Sequence, residues 1–373
     1  MELLFTYSFV LLKDMRIRKR NRILKAMIHL IRRKSMLSLN ELWFIIIAVL
    51  FVGFFVLEGF DFGVGIVSRF LGENDLEKRI YLNTIGPFWH ANEVWLVCAG
   101  GAMFAAFPHW YATLFSGFYI PFVFMLLALI IRGVSFKFRA KIDNHKWKGF
   151  WDWGMFLGSL LPPILWGVAI ANFMVGIPID ETKNAVGGFL QLLHPFALLG
   201  GVMFLLLCIV HGLQFLTIRT TGKLRERARI AALKIAPLAI IALLIFAGIG
   251  LWKTDIFTGH GKEWIMVPIG AFVALCASTL LNKRRRDGWA FVMTSLTIIL
   301  LSASVFAGMF PRVLISSLGS IYDLTIYNAA SGDYALKLMT YFSIAILPFV
   351  LGSQIWSFYV FRQPVKSDKD LEY

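Results

Sequence analysis

Apolar residues occur along this chain in runs of about twenty, and short polar segments separate the runs. Each run is long enough to cross a hydrocarbon layer of about 30 Å at about 1.5 Å per helical residue. The pattern predicts an all-α membrane protein with about nine transmembrane helices in bundles. The predicted spans lie near residues 42–67, 84–106, 111–131, 151–175, 189–217, 231–252, 264–281, 289–310 and 336–361.

Composition agrees with this pattern and excludes a soluble protein. Hydrophobic residues make up 58% of the 373 residues and charged residues only 16%. The polar segments between the predicted spans are too short to fold as a soluble domain. Cys98, Cys208 and Cys276 each stand alone inside an apolar run. We therefore interpret them as packing residues rather than as a disulfide or a thiolate metal site.

Lysine and arginine are unevenly distributed among the polar segments, and their distribution predicts the orientation. The segments after spans 1, 3, 5 and 7, with the tail after span 9, hold 21 of them, against 4 after spans 2, 4, 6 and 8. Basic residues concentrate on the cytoplasmic side of a membrane. We therefore predict a cytoplasmic C-terminus and an outside start for span 1. The basic run at residues 283–286 fits this rule, so we predict no nucleic-acid partner.

The first 35 residues contradict the predicted orientation. They carry ten lysines and arginines against Glu2 and Asp14, and would lie outside, next to span 1. The apolar run at residues 3–12 is too short to cross a membrane, and its charges follow it, whereas those of a signal peptide precede the apolar core. We expect residues 1–35 to be a basic extension absent from the working protein, which would begin at Met36. The alternative is an amphipathic helix on the membrane surface.

Two predicted spans carry ionisable residues, although a charge at the bilayer centre costs on the order of 3 kcal/mol. In span 1 these are Glu58 and Asp61, and in span 2 His90 and Glu93. The members of each pair are three residues apart, so they share a helical face. Both pairs lie about 10 to 12 Å from the predicted cytoplasmic end at about 1.5 Å per residue. We expect them, with Asn92 as a supporting polar residue, to form a proton path open to the cytoplasm.

Other interpretations of these histidines and carboxylates stay open. The side chains could satisfy one another's hydrogen bonds and merely hold two helices together. The spacing of His90 and Glu93 also occurs in di-iron bundles, but such a site needs a second pair that no other span supplies, so we predict no metal site. His194 and His211 could each ligate a haem iron, although a single histidine on an apolar face is more often a packing residue.

Several long segments of the chain resemble subunit II of the cytochrome bd quinol oxidase family. They begin just past Met36 and continue to the tail. The segments are EGFDFGVG (58–65), NTIGPFWHANEVWLVCAGGAMFAAFP (83–108), FSGFYIPF (115–122), RGVSFKFRAK (132–141), WDWG (151–154), GVAIAN (167–172), RRRDGWAFVMTSLT (284–297) and MFP (309–311).

This resemblance implies a nine-helix subunit that forms a heterodimer with a similarly folded subunit I in the bacterial cell membrane. In the family, subunit I carries the quinol site and the haems, two of type b and one of type d, so no haem would be ligated by this chain. The complex oxidises membrane quinol and reduces O2 to water with protons from the cytoplasm. Asp61 matches the family's acidic position in span 1, with Glu58 beside it. Some branches carry Asp and Gln where this chain has His90 and Glu93.

The resulting hypothesis is a terminal-oxidase subunit that is not catalytic alone and that contributes a proton path. One alternative is a proton-coupled secondary transporter, which should show internal repeats and broken helices in both halves. We find no convincing repeat, and nine spans do not divide equally. A second alternative is a structural scaffold for the haem subunit. The sequence decides neither between scaffold and proton path nor whether a small accessory subunit also binds.

Overall fold

The computed structural model describes residues 37–257 and 265–365, which form a bundle of long helices. The predicted extension at residues 1–35 lies outside the described residues and stays a prediction. In chain order the α-helices are α1 (Leu39–Leu71), α2 (Asp75–Ile85), α3 (Trp89–Ala106), α4 (Pro108–Gly117), α5 (Tyr119–Phe138), α6 (His145–Val175), α7 (Pro195–Arg219), α8 (Gly222–Lys253), α9 (Met266–Lys283), α10 (Asp287–Met309) and α11 (Asp333–Val360).

Within the described ranges, eight helices are long and apolar enough to cross a membrane, namely α1 and α5 to α11. The prediction of an all-α membrane protein is confirmed. The remaining predicted span, residues 84–106, corresponds to α3, a helix of 18 residues. Its first turns contain His90, Asn92 and Glu93, which lower its average hydropathy below that of the other eight. The orientation stays a prediction from the charge distribution.

The third predicted span differs most from the helix that replaces it. The helical conformation is interrupted at Phe118, between α4 and α5, so residues 111–131 belong to two helices. Helix α5 then continues to Phe138. This extension places Arg132 inside a helix, whereas the predicted end of span 3 had placed it among the cytoplasmic basic residues.

Helix α1 lies at the centre of the bundle and packs against α3, α6, α7 and α10. It begins with a reciprocal cap, in which Ser38 Oγ accepts from the Glu41 N–H and the Glu41 carboxylate accepts from the Ser38 N–H. Glycines allow α1 and α7 to approach closely. A Cβ on Gly63 would lie 2.0 Å from the Cys208 carbonyl oxygen, and one on Gly212 would lie 2.5 Å from the Val64 nitrogen.

A two-stranded antiparallel hairpin closes the end of the bundle at which α1 begins. Its strands are β1 (Arg312–Leu314) and β2 (Leu324–Thr325). Asn40 Nδ2 of α1 donates to the Ile326 carbonyl oxygen at 2.6 Å. The hairpin segment is therefore tied to the first turn of the central helix.

Ion pairs join the short segments at the opposite end of the bundle. Arg139 donates to Asp75 and to Asp152, each at 2.6 Å, and thereby connects α2 to α6. Lys148 Nζ lies 3.1 Å from Asp75. Further pairs at this end are Arg227 with Glu77 and Arg229 with Asp287.

Helix α11 is the least buried of the membrane-length helices. Only 6% of its most apolar stretch of 18 residues is buried, against 33% or more of the corresponding stretch in each of the other seven helices. Near its start, the Leu336 carbonyl oxygen accepts from Trp43 Nε1 at 3.2 Å. Near its end, Phe358 stacks on Phe88 with 4.4 Å between ring centroids. Between these contacts a groove of about 780 Å³ separates α11 from α3, and we call it the α3–α11 groove.

Candidate functional site

Arg132 of α5 is completely buried and interacts with three carboxylates from two other helices. Its Nη1 donates to Glu58 and, at 3.1 Å, to Glu93. Its Nη2 lies 4.0 Å from Asp61 Oδ2. The side chains of Glu58, Asp61 and Arg132 are 0% exposed. We call Glu58, Asp61, Glu93 and Arg132 the carboxylate cluster.

The close packing of α5 and α6 and an aromatic ring position Arg132. A Cβ on Gly158 of α6 would lie 2.6 Å from the Ala128 carbonyl oxygen of α5, so the two helices are in direct contact beside the arginine. The guanidinium carbon lies 5.0 Å from the centre of the Phe62 ring, within the range of a cation–π interaction. These two contacts fix the direction in which the Arg132 side chain extends towards α1.

Asn92 joins the cluster to one further helix, α11. Its Nδ2 donates to Asp61 Oδ2 at 2.7 Å and to the Leu57 carbonyl oxygen at 3.4 Å. Its Oδ1 accepts from Gln354 Nε2 of α11 at 3.0 Å. The predicted supporting role of Asn92 therefore has a geometric basis, and Gln354 is a contact that the sequence analysis did not identify.

The cluster contains more negative groups and more polar atoms than its own contacts satisfy. One guanidinium neutralises one of three carboxylates. Among the described residues, Glu58 Oε2, Asp61 Oδ1 and the Nε and Nη2 of Arg132 are buried without a hydrogen-bond partner. Each such group costs about 1–3 kcal/mol unless water or a proton satisfies it. The arrangement therefore suits a site that takes up protons and ordered water.

His90 lies apart from this cluster. It is exposed at the start of α3, and no hydrogen bond or ion pair joins it to the carboxylates within the described ranges. Glu93, in contrast, reaches Arg132 while its side chain keeps 22% exposure. Both residues line a second groove of about 740 Å³ between α3 and α5, which we call the α3–α5 groove. The structure thus brings Glu58, Asp61 and Glu93 together and leaves His90 outside the cluster, on the wall of the α3–α5 groove.

The two histidines considered as haem ligands differ in how far internal hydrogen bonds engage them. His211 is completely buried, with Nδ1 2.8 Å from Thr294 Oγ1 and Nε2 3.1 Å from the Val56 carbonyl oxygen. Both of its ring nitrogens are therefore engaged. His194 caps α7 by accepting from the Ala197 N–H through Nδ1, and its Nε2 is shielded. The part of the chain that the structure describes holds no cluster of His, Cys, Asp or Glu suited to a metal ion.

Sequence reasoning missed Arg132 because it ended span 3 at residue 131, whereas α5 continues to Phe138. A signal was available, since carboxylates inside a membrane usually pair with a cation from a neighbouring helix. The residues that follow Arg132 include the apolar Val134 and Phe136, which favour continuation of the helix into the membrane interface. Gln354 offered no comparable signal, because a single amide in an apolar run has many structural explanations.

Comparison with known proteins supports a specific family. The profile of the family described as cytochrome bd terminal oxidase subunit II matches residues 39–361. Cytochrome bd ubiquinol oxidase subunit 2 of Bacillus subtilis (strain 168) is 51% identical over 340 residues, which cover 91% of this chain and 100% of that protein. Cytochrome bd-I ubiquinol oxidase subunit 2 of Escherichia coli (strain K12) is 36% identical over 369 residues, covering 88% and 96%.

A solved structure shows the same fold. A chain of the bd oxidase from Geobacillus thermodenitrificans matches with a TM-score of 0.70 at 18% identity, over 87% of this chain and 99% of that chain. Sequence and fold agree over almost the whole described bundle, including the helices that carry the carboxylate cluster. The chain therefore belongs to the cytochrome bd terminal oxidase subunit II family, and it is a multi-pass subunit of a terminal oxidase in the bacterial plasma membrane.

Proposed function

We propose that this chain pairs with subunit I to oxidise membrane quinol and reduce O2, and that its carboxylate cluster conducts protons for that reaction. The relatives from Bacillus subtilis and Escherichia coli are named as ubiquinol oxidase subunits, which supports quinol as the substrate of the complex. We assign haem b and haem d to subunit I. The engagement of both ring nitrogens of His211 in internal hydrogen bonds supports this assignment.

The observation that carries the proton-path proposal is the buried group of three carboxylates around Arg132. Carboxyl groups at hydrogen-bonding distance from shared partners can pass protons through water between them. Glu93 is the member that lines the α3–α5 groove, so we assign it to the exchange of protons with that groove. Glu58 and Asp61 form the buried part of the path. Arg132 holds negative charge at a depth where an unpaired carboxylate would be costly.

His90 receives a different assignment from the one that its spacing predicts. It lines both the α3–α5 groove and the α3–α11 groove. Exposure of an imidazole to lipid within the membrane costs free energy, so we expect protein or water to cover His90. We propose that it lies at the entrance to the path, next to Glu93.

The surface formed by α3 and α11 is the face that we assign to subunit I. Lipid tails are as apolar as leucine, so exposed apolar residues alone do not identify a protein interface. Two observations favour one here: α11 is almost unburied, and the polar His90 lies on the adjacent surface. Coverage by a second membrane subunit would bury α11 and shield His90 together.

Neutral variants of the three carboxylates test the proton path. We expect Glu58→Gln, Asp61→Asn and Glu93→Gln to slow quinol oxidation by about tenfold or more, since a positioned proton-transfer group contributes about 10²–10⁴-fold. Haem content should stay normal. The measurement is O2 consumption by the purified complex with quinol, normalised to haem d.

A matched control separates this effect from a general loss of charge on α1. Glu41 lies at the exposed start of the same helix, and Glu41→Gln should retain normal turnover. Normal turnover in all three cluster variants would reject the proton path. Loss of haem from all three would instead favour the structural scaffold.

A further inference from the structure

Gln354 connects the least buried helix to the carboxylate cluster. Its Nε2 donates to Asn92 Oδ1 at 3.0 Å, and Asn92 Nδ2 donates to Asp61 Oδ2 at 2.7 Å. Three side chains from α11, α3 and α1 therefore form one hydrogen-bonded line that ends on a proton-path carboxylate. The assigned proton path makes no use of Gln354.

The direction of the Asn92 amide matters for Asp61. Asn92 is 0% exposed, and its oxygen and nitrogen occupy nearly the same space. In the observed orientation an N–H group faces Asp61, which therefore accepts. In the reversed orientation an oxygen would face Asp61, and a hydrogen bond would then require a proton on that carboxyl group.

The Leu57 carbonyl oxygen selects the observed orientation, because a carbonyl can only accept from Asn92; the two atoms are 3.4 Å apart. Gln354 lies on the other side of the amide and donates to Asn92 Oδ1 at 3.0 Å. A glutamine amide can donate or accept, so Gln354 does not select the orientation itself, but its bond holds the Asn92 side chain in place.

The position of Gln354 depends on how α11 is seated. Phe358, one helical turn further along α11, stacks on Phe88, and these two contacts hold the end of the helix against the bundle. Towards the start of α11 the α3–α11 groove separates the helix from α3. A shift of α11 into or away from this groove would move Gln354 relative to Asn92.

We propose that Gln354 is a positioning residue that makes the hydrogen bonding of Asp61 depend on the seating of α11. This inference rests on the proposed function, because it assumes that Asp61 conducts protons and that subunit I covers α11. Docking of subunit I would hold Gln354 against Asn92. It would thereby keep the hydrogen bond from Asn92 to Asp61 in the arrangement that conducts protons.

The test uses Gln354→Met in the complete oxidase complex, because methionine retains the length of glutamine but has no N–H donor. We expect turnover to fall about two- to tenfold, the range that one net hydrogen bond supports. We also expect the carboxyl stretching band of Asp61 to shift in redox-induced infrared difference spectra. Asp61→Asn, which removes the band, identifies it.

The control is Ser295→Ala in α10. Ser295 is half-buried, and its hydroxyl donates to the Phe291 carbonyl oxygen within α10 at 3.0 Å. This variant should leave both turnover and the band unchanged. In an Asn92→Ala background, Gln354→Met should have no further effect, because Gln354 acts through Asn92.

The outcomes separate the two proposals. An unmoved band and normal turnover in Gln354→Met, while Asp61→Asn is slow, would overturn the role of Gln354 and leave the proton path intact. Normal turnover in Asp61→Asn would reject the proton path, and the role of Gln354 with it. If Gln354→Met does not assemble, Gln354→Asn replaces it, since its amide is one methylene too short to reach Asn92. An unmoved band there would also overturn the inference.

Discussion

Arg132 provides one positive charge for three carboxylates, and this imbalance sets what the residues of the cluster can do. Glu58, Asp61 and Glu93 cannot all be ionised at this depth without large electrostatic repulsion. Protons or water must therefore accompany the groups that Arg132 leaves unpaired. A site built only to hold helices together would not require the four unpaired polar atoms that Glu58, Asp61 and Arg132 retain.

Removal of the Arg132 charge is expected to prevent assembly of a stable complex. Arg132→Met leaves three buried carboxylates without a cation, and breaking a buried pair in this way costs about 3–5 kcal/mol. The measurement is the haem d content and thermal midpoint of the complex purified from membranes.

Arg132→Lys is the informative partner variant. It retains the charge, so the complex should assemble, but an ammonium has no second nitrogen to face Asp61 while the first contacts Glu58 and Glu93. We therefore expect normal haem content and slower turnover. A normally stable and active Arg132→Met complex would contradict the role assigned to the arginine.

At the scale of elements, the contact between α1 and α7 determines whether the cluster can form, because α1 carries two of its members. Gly212→Ala would place a methyl group 2.5 Å from the backbone nitrogen of Val64, and backbone cannot move aside as a side chain does. We expect a loss of about 1–3 kcal/mol. The measurement is thermal unfolding of the purified complex.

Gly248→Ala in α8 is the matched control for this contact. A Cβ on Gly248 meets nothing within 4 Å, and alanine is the better helix former. This variant should therefore be neutral or slightly stabilising. Equal destabilisation by Gly212→Ala and Gly248→Ala would show that helix packing at Gly212 is not the cause.

The ion pairs that connect α2 to α6 predict an acid-dependent stability. Burial raises the pKa of Asp75, but hydrogen bonds from Arg139 and Lys148 outweigh it and hold the pKa below its ordinary value. A carboxyl group with a lowered folded-state pKa stabilises the fold above its unfolded pKa and loses that contribution as the pH falls through the folded value. Asp75→Asn should therefore lower stability at pH 7 and lose its effect below about pH 4.

The effect of Asp75→Asn should be less than about 1 kcal/mol, because solvent screens a side chain that is 43% exposed. Thermal midpoints of the two proteins, measured from neutral to acidic pH, should converge as the pH falls. Glu181→Gln is the control, since that side chain is exposed in the segment between α6 and α7, away from these ion pairs, and should change nothing. A difference that grows towards acidic pH would contradict the assigned cause.

At the scale of the whole molecule, the assignment of the haems to subunit I makes a direct prediction. The chain purified through a tag under mild conditions should carry subunit I, show haem b and haem d in a reduced-minus-oxidised spectrum, and consume O2 with quinol. After separation of the subunits, the haem should stay with subunit I, because both ring nitrogens of the buried His211 are engaged in internal hydrogen bonds. Haem that stays with this chain instead would overturn the assignment.

The sequence by itself determined the class of protein and most of the candidate site. The length of the apolar runs identifies a helical membrane protein because the bilayer leaves few alternatives for backbone hydrogen bonds. Ionisable residues within those runs, Glu58, Asp61 and Glu93, stand out because their burial in lipid is costly. Segments such as EGFDFGVG (58–65) also identified the family.

Only the tertiary structure decided which polar residues meet. Arg132 enters the cluster because α5 continues beyond the predicted end of span 3, and a span end is poorly defined by composition alone. His90 and Glu93 have helical spacing, yet the packing of α3 directs only Glu93 to Arg132. The bond from Gln354 joins residues far apart in the chain. Such contacts depend on helix ends, rotation and neighbours, which a local pattern of apolar and polar positions does not specify.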